Sequence, residues 1–172
     1  ALGKLGRGDS QIISNINQFL SVQNNAFASG VDIDILLIES SIDALGSLNS
    51  ASSFPVLFSA MVSDYPENIK SKASAALRSL DGEYKKNLLE VILKNPAHEK
   101  LAALKEGLHN TNLKIDATGE LAETALDIAL SKMEPGTEDY KVYIEICNLS
   151  VGEIKNQKWN RATPLLIRYY HL

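Results

Sequence analysis

The sequence has few of the residues from which metal centres and disulfide frameworks are built. Its 172 residues include one cysteine and three histidines, which excludes an internal disulfide and a cysteine-based zinc site. The histidines show no metal-ligand spacing, so we expect neither a metal ion nor a cofactor. Cys147 lies on an apolar helical stripe without a basic neighbour, and this position predicts a core residue rather than a reactive thiolate.

Long apolar runs and an excess of positive charge are also missing. No run approaches the roughly 20 apolar residues of a membrane span, and no signal-peptide pattern is visible. A net charge of −4 disfavours a general nucleic-acid-binding protein. No nucleophile elbow, phosphate-binding glycine loop or zincin helix motif occurs, so no catalytic residue is predicted. These absences favour a cytoplasmic protein that is not bound to a membrane.

What is present is helical periodicity, best seen from Ser53 to Leu80. Pro55 suits the first turn of a helix, where its missing N–H has no partner, and Ser53 is the predicted N-cap. Pro66 ends that helix because it disfavours the helical conformation at Tyr65. Apolar residues recur at helical spacing on both sides of this turn: Phe54, Leu57, Phe58 and Met61, then Ile69, Ala73, Ala76, Leu77 and Leu80. Neither helix is stable alone, so the pair is expected to pack against similar pairs.

Segments of this helix pair recur along the chain. Residues 44–48 (ALGSL) match residues 76–80 (ALRSL) at an offset of 32 residues, and residues 1–5 (ALGKL) match the same motif. Residues 163–167 (TPLLI) restate residues 54–58 (FPVLF), as though another first helix began there. Helix pairs with a period of this size are typical of α-solenoids.

The Pro55 helix, the turn at residues 64–68 and the ALGSL ending resemble HEAT repeats and the related armadillo-type repeats. An offset of 32 residues is shorter than the roughly 40–47 residues of HEAT units, so compact HEAT-like variants are the nearer match. The resemblance implies an all-α fold, a right-handed α-α superhelix of antiparallel helix pairs. It also implies a curved scaffold that binds other macromolecules, although a few members of the family are enzymes.

On this interpretation residues 1–172 form a single HEAT-like repeat domain. Its units are expected at about residues 1–48, 53–80, 84–108 and 118–157, with the start of another at 163. Residues 1–5 look like the end of a helix and no initiator methionine precedes them, so the chain is predicted to be a fragment of a longer one.

The limits of the other helices follow from capping and breaking residues. Asp9 or Ser10, Asp32 or Asp34, and Thr137 are the predicted caps of three helices. The helix from Tyr84 to Lys94 is expected to turn Leu88, Leu89, Ile92 and Leu93 inward. The stretch from His109 to Gly119 is predicted to be irregular, and a helix is predicted from Glu120 to Met133.

Two segments depart from the repeat in ways that packing alone does not demand. Residues 21–32 are polar and contain an isolated Phe27. Two interpretations are open for this segment: an inserted loop, or one extra helical turn and a connection with Phe27 packed on the core. The link that joins Lys158, Trp159 and Arg161 holds the only tryptophan, and tryptophan and arginine are favoured at binding hot spots. The alternative is a Trp159 that lies over a helix end as a partial core residue. The candidate binding residues are therefore Phe27, Lys158, Trp159 and Arg161, because function in repeat proteins is usually added outside the repeat positions.

A row of carboxylates lies on the predicted helix from Glu120. Glu120, Glu123 and Asp127 share a face that differs from the apolar stripe. Such a cluster could bind a hard cation or a basic peptide. Calcium sites are usually built from a tight loop, so a solvated helix face is the simpler interpretation, and no metal ligand is predicted.

Three functions remain open from the sequence. The leading hypothesis is a non-catalytic protein-binding scaffold whose partner, another protein or peptide, binds on the concave side; its oligomeric state is open. The second is an enzyme on a HEAT-like scaffold, such as a DNA glycosylase or a lyase. Suitable residue types for a glycosylase are crowded near one end of the chain: Trp159, Arg161, Arg168, Tyr169 and Tyr170. Acidic composition counts against a glycosylase. The third is a purely structural spacer in a larger solenoid.

Overall fold

The computed structural model describes residues 10–80 and 82–171, and these residues form α-helices and two short 3₁₀ helices without a β-strand. In chain order the α-helices are α1 (Ser10–Ala28), α2 (Ile35–Leu48), α3 (Phe54–Val62), α4 (Glu67–Ser79), α5 (Tyr84–Lys94), α6 (Ala97–His109), α7 (Ile115–Lys132), α8 (Tyr140–Gln157) and α9 (Thr163–Tyr170). The predicted all-α class is confirmed for this part of the chain. Its arrangement as a right-handed superhelix stays a prediction. The helix ending predicted at residues 1–5 and the Asp9 cap lie outside the described residues.

The chain divides into two compact units, one that ends at Tyr84 and one that begins at Lys85. In the first unit α1 packs against α2 and α3, and α4 packs against the same two helices. Leu45 and Leu77, both in the ALxSL motifs, are fully buried. Gly46 permits a close approach of α2 and α4, because a Cβ at this position would lie 3.1 Å from the Cβ of Ala76.

In the second unit α7 and α8 pack against each other, α6 packs against both, and α9 packs against α7. Cys147 on α8 is buried among these helices, which confirms its prediction as a core residue. Burial raises the pKa of its thiol to about 11. None of the helices in the described part of the chain is both long and apolar enough to cross a membrane.

Of the two interpretations of residues 21–32, the inserted loop is wrong over most of the segment. Helix α1 continues to Ala28, and the chain turns at Gly30 with φ of +78°. The helix continues because Asn24, which interrupts the apolar pattern, is itself a buried residue. The alternative interpretation, extra helix at this point, is the one observed.

Two of the caps predicted in the first unit, Asp34 and Ser53, have different outcomes. Asp34 is the N-cap of α2, and its carboxylate accepts hydrogen bonds from the N–H groups of Leu36 and Leu37 at 3.0 and 3.2 Å. Ser53 precedes α3 but makes no side-chain cap bond. A preceding 3₁₀ turn leaves Ser53 with φ of −85° and ψ of −6°, whereas a capping residue is usually extended. Capping by the Ser53 side chain is therefore a wrong prediction.

Helix α5 spans Tyr84–Lys94 as predicted, but its buried face differs from the expected one. Leu88 and Ile92 are fully buried, whereas Leu93 is 51% exposed and Val91 is buried instead. Residues three and four apart share a helix face, so Val91 rather than Leu93 continues the stripe of Leu88 and Ile92.

Helix α7 begins at Ile115, so the prediction of irregular chain as far as Gly119 is wrong for its last five residues. Asp116 lies in the first turn, where a carboxylate stabilises the helix N-terminus. The hydroxyl of Thr118 donates to the carbonyl of Ile115 at 3.1 Å, which satisfies a polar side chain within the helix. The sequence did not predict this first turn because its residues are mostly polar and show no apolar helical pattern.

The predicted Thr137 cap is displaced by two residues. Asp139 is the residue that precedes α8, and the hydroxyl of Thr137 donates to the carbonyl of Glu134 at 2.8 Å. Thr137 therefore stabilises the turn between α7 and α8 rather than the start of α8.

The same succession of local structures, a helix end, a 3₁₀ turn and a second helix, occurs in both units. Asn49 is the C-cap of α2 and Lys158 is the C-cap of α8, and these are the only non-glycine residues of the described chain with positive φ, at 58° and 52°. A 3₁₀ turn follows in each case, Ala51–Ser53 and Asn160–Ala162, and a helix with proline near its start follows the turn. The predicted likeness of the FPVLF and TPLLI segments is confirmed in their local structure.

Candidate functional site

An open cleft of about 440 Å³ lies between α7 and the start of α9. The residues that line it are Glu120, Glu123, Thr124, Asp127, Arg161, Pro164 and Leu165. The cleft brings together two features that the sequence had shown separately, the carboxylate row and the link that contains Arg161.

The end of α8 sets the direction of this link. Lys158 adopts a left-handed conformation with φ of 52°, and the N–H of Trp159 donates to the carbonyl of Ile154 at 3.0 Å. Such a left-handed residue ends a helix and satisfies its last carbonyl groups. The following 3₁₀ turn is fixed at Ala162, which is fully buried. The chain therefore leaves α8 in one direction and presents Trp159 and Arg161 to α7.

Trp159 is packed on the backbone of α7. A Cβ at Gly119 would lie 2.7 Å from Cδ2 and Cε3 of the indole, so the ring occupies the space that a larger residue would need. The indole Nε1 donates to Oε2 of Glu123 at 2.8 Å. Trp159 is half-buried, and its contacts are those of the partial core residue that was the alternative interpretation.

Arg161 is the more accessible of the two. Its side chain is 72% exposed, its Nε lies 3.7 Å from Oε2 of Glu123, and its Cζ lies 5.7 Å from the centre of the indole ring. Glu123 thus lies beside both the indole N–H and the guanidinium. Because a guanidinium is planar and carries several donors, Arg161 retains the geometry to bind a carboxylate of a ligand.

The carboxylate row is more ordered than a solvated face. Glu120 Oε2 lies 2.7 Å from Lys85 Nζ, and Asp127 Oδ1 lies 3.9 Å from Arg168 Nη1. Glu123 accepts from Trp159. Each carboxylate therefore has a donor or a cation beside it, so the interpretation as a merely solvated face is incomplete. Within residues 10–80 and 82–171, no group of three or more His, Cys, Asp and Glu side chains could hold a metal ion.

The cleft therefore offers three kinds of contact. Glu120 and Asp127 already lie beside Lys85 and Arg168, but an ionised carboxylate has about four lone-pair sites, so each can also accept from a cationic side chain of a ligand. Arg161 can bind an anionic side chain, and Pro164 and Leu165 supply an apolar wall. A ligand with charges of both signs and an apolar group matches this surface better than an anion or a cation alone.

Lys158 and Phe27 do not line the cleft. Lys158 is an exposed residue at the end of α8. Phe27 belongs to the first unit, where its ring stacks on that of Tyr65 with centres 4.3 Å apart. Tyr65 is buried, so Phe27 packs against the core of its unit.

Glu123 and Gly119 are the residues of this site whose roles sequence reasoning missed. Glu123 had been assigned only to the acidic face, and its contact with Trp159 spans 36 residues. A glycine inside a helix is unfavourable by itself, so Gly119 was a signal that another group approaches the backbone there.

Comparison of the chain with models of known protein families, with characterised proteins and with solved structures gives no match. The likeness of its segments to HEAT repeats therefore stays a prediction from the sequence. A function has to be argued from the geometry of this chain.

Proposed function

We propose that this protein is a non-catalytic protein-binding module built of HEAT-like repeats, and that the cleft beside Trp159 binds a mixed-charge segment of another protein. The observation that carries the proposal is the position of Arg161. It is an exposed guanidinium in the lining of a cleft whose other charged groups are carboxylates. Such a mixture of charges supplies selectivity for the charge pattern of a partner.

The roles of Trp159 and Arg161 differ in this proposal. The indole uses its N–H for Glu123 and packs against Gly119, so Trp159 shapes the cleft and supports the guanidinium. Arg161 makes the contact with a carboxylate of the partner. Leu165 and Pro164 contribute apolar area, because exposed ion pairs alone contribute only about 0.2–1 kcal/mol each.

The two substitutions are expected to separate these roles. Arg161→Ala should weaken binding by up to about fivefold, or about 1 kcal/mol, with little change in the midpoint of thermal unfolding. Trp159→Ala should weaken binding and also lower the free energy of unfolding by roughly 1–3 kcal/mol, because it removes a packed ring.

A displayed library of random peptides, selected on the immobilised protein, tests the proposal without a known partner. The enriched peptides are expected to carry acidic and basic residues together with an apolar one. Their affinities for the variants are then measured by fluorescence anisotropy. Lys141→Ala is the matched control, since Lys141 is an exposed cation of α8 that does not line the cleft.

Two results would contradict the proposal. One is a selection that enriches no peptide family above the background of an unrelated immobilised protein. The other is a set of enriched peptides that bind Arg161→Ala and Lys141→Ala equally well.

A further inference from the structure

The charged groups of the cleft follow one another in a fixed order along α7. Glu120, Glu123 and Asp127 belong to this one helix, and a rise of about 1.5 Å per residue separates them by about 4.5 and 6 Å along its axis. Arg161 lies at the level of Glu123, because its Nε is 3.7 Å from Oε2 of that residue. The guanidinium is therefore between Glu120 and Asp127 in the direction of α7.

Exposure decides which of the two groups at the middle level meets a ligand. The side chain of Glu123 is 22% exposed, and its Oε2 accepts from the indole of Trp159. The side chain of Arg161 is 72% exposed. Among the residues that line the cleft in the described chain, Arg161 is the only cation. The cleft thus presents a carboxylate, a guanidinium and a second carboxylate, in that order.

The two outer carboxylates are accessible to a ligand. The side chains of Glu120 and Asp127 are 42% and 61% exposed. Their neighbours Lys85 and Arg168 do not line the cleft, and exposed ion pairs of this kind are weak. A cationic side chain inside the cleft can therefore approach either carboxylate from the other side.

The α9 side of the cleft is apolar. Pro164 and Leu165 lie in the first turn of α9 and line the cleft together with the residues of α7. Successive side chains of an extended segment point to opposite sides, and alternate ones are about 6.6 Å apart, which is close to the spacing of the charges. A segment of about five residues does not form a helix by itself. An extended segment can direct its charged residues to α7 and the residues between them to α9.

We propose, as an extension that rests on the proposed function, that the cleft selects an extended segment of another protein with one acidic residue between two basic ones. Glu120 and Asp127 bind the basic side chains, Arg161 binds the acidic one, and apolar residues between them contact Pro164 and Leu165. All three charges are paired only in this order. An acidic residue at an end of the segment would face a carboxylate of α7, and like charges disfavour binding.

The sequence itself contains no segment of this kind. None of its 17 lysine and arginine residues is followed by an acidic residue two positions later and a basic residue four positions later. Cases such as Lys114 with Asp116 and Lys132 with Glu134 lack the second basic residue. A second copy of this sequence therefore does not supply a matching segment, so the complementary charges point to a different protein.

Three synthetic peptides of the same composition test the order of the charges. Each has two lysines, one glutamate and two leucines, with the charged residues first, third and fifth; acetylated and amidated ends remove the terminal charges. The glutamate is third in one peptide, and first or fifth in the other two. Their affinities for the full chain are measured by fluorescence anisotropy with a neutral fluorophore.

The peptide with the central glutamate should bind at least about fivefold more tightly than either of the others. One exposed ion pair accounts for up to about fivefold in affinity, and each rearrangement misplaces two charges. Because the three peptides have the same composition and net charge, a difference between them reports the order alone.

Two variants assign the preference to the cleft. Arg161→Gln should make the three affinities nearly equal, whereas Lys141→Gln, at an exposed cation of α8 outside the cleft, should retain the difference. Arg161→Glu combined with Asp127→Lys changes the order to two carboxylates followed by a cation, so a peptide with a terminal glutamate should become the tightest. Unchanged thermal midpoints would show that the fold is retained, as expected for side chains that are 72% and 61% exposed.

The possible failures have different meanings. Equal affinities of the three peptides, all weakened by Arg161→Gln, overturn the order of charges but leave the proposed function standing. If none of the three binds, the order is also overturned, and the library selection decides whether the proposed function stands. A preference that survives Arg161→Gln, or that the double substitution does not reverse, places the selectivity elsewhere and overturns the proposal. Self-association in sedimentation that Arg161→Gln abolishes would mean that a second copy occupies the cleft, which overturns it too.

Discussion

Tyr65 joins α1 to the turn that follows α3 through one buried hydroxyl. The hydroxyl donates to Oδ1 of Asn24 at 3.1 Å, and Nδ2 of Asn24 donates to the carbonyl of Val56 at 3.1 Å. Both side chains are buried, and Phe27 stacks on the ring of Tyr65. Removal of the hydroxyl alone would leave a buried amide oxygen without this partner while the ring stack remains.

Tyr65→Phe is therefore expected to lower the free energy of unfolding by about 1–3 kcal/mol, the usual cost of a buried polar group that loses its partner. Urea denaturation at constant slope measures the change. Tyr169→Phe is the matched control, because the hydroxyl of Tyr169 donates at 3.0 Å to Asn148, which is exposed. An equal effect of the two substitutions would show that the Asn24 bond contributes nothing specific.

The predictability of single residues depended on whether an apolar pattern marked them. Leu45 and Leu77 were predicted in the core and are fully buried. Asn24 was not predicted in the core, although it is buried. The sequence alone does not distinguish a buried asparagine from an exposed one. The partner of Trp159 was equally hidden, because Glu123 lies 36 residues away and a contact of that kind is set by the packing of α7 and α8.

At the level of the helix, α7 has a glycine, Gly119, at the point where the segment between α8 and α9 approaches its backbone. Gly119 lies under the indole of Trp159, and a Cβ would lie 2.7 Å from the ring. Gly152 in α8 has no atom within 4 Å of such a Cβ. The two glycines are both helical, so they differ in tertiary surroundings and not in backbone type.

Opposite effects are expected from the same substitution at these two sites. Gly152→Ala should raise the free energy of unfolding by about 0.5–1 kcal/mol, the gain in helix propensity. Gly119→Ala should lower it despite the same gain, because the indole has to move away from α7. Chemical denaturation measures both, and the emission of the single tryptophan should shift to longer wavelength only in Gly119→Ala. A stabilised Gly119→Ala with unchanged emission would contradict the packing of Trp159 on α7.

Helix limits were predictable where breakers flank a strong pattern and not elsewhere. Both ends of the helix Tyr84–Lys94 were predicted correctly, because Gly82 precedes it and Pro96 follows it in the sequence. The sequence left the last turns of α1 open between loop and helix, and the first turn of α7 was missed. The residues of both segments are polar, and their helical state depends on partners such as the Val56 carbonyl for Asn24. Local pattern therefore determined the helices, while tertiary contacts determined where some of them stop.

At the scale of the whole molecule, the protonation of Cys147 links global stability to pH. Burial raises the pKa of this thiol from 9.0 to about 11 in the folded chain. The unfolded chain therefore releases this proton near pH 9, whereas the folded chain holds it to about pH 11. The folded state binds more protons in this window, so the contribution of Cys147 to stability is complete below pH 9 and is lost as the pH rises to 11.

The loss is expected to be about 2.7 kcal/mol over these two pH units, at about 1.36 kcal/mol for each unit. Burial also raises the pKa of Tyr65 and Tyr143 and lowers that of Lys100, but these groups are retained in Cys147→Ala and largely cancel in the comparison. The free energy of unfolding of the wild-type chain should therefore fall more steeply than that of Cys147→Ala between pH 9 and 11, as urea titrations at each pH would measure. Parallel curves for the two proteins would mean that the thiol loses its proton equally easily in both states, and would contradict the rise in its pKa that the burial of Cys147 causes.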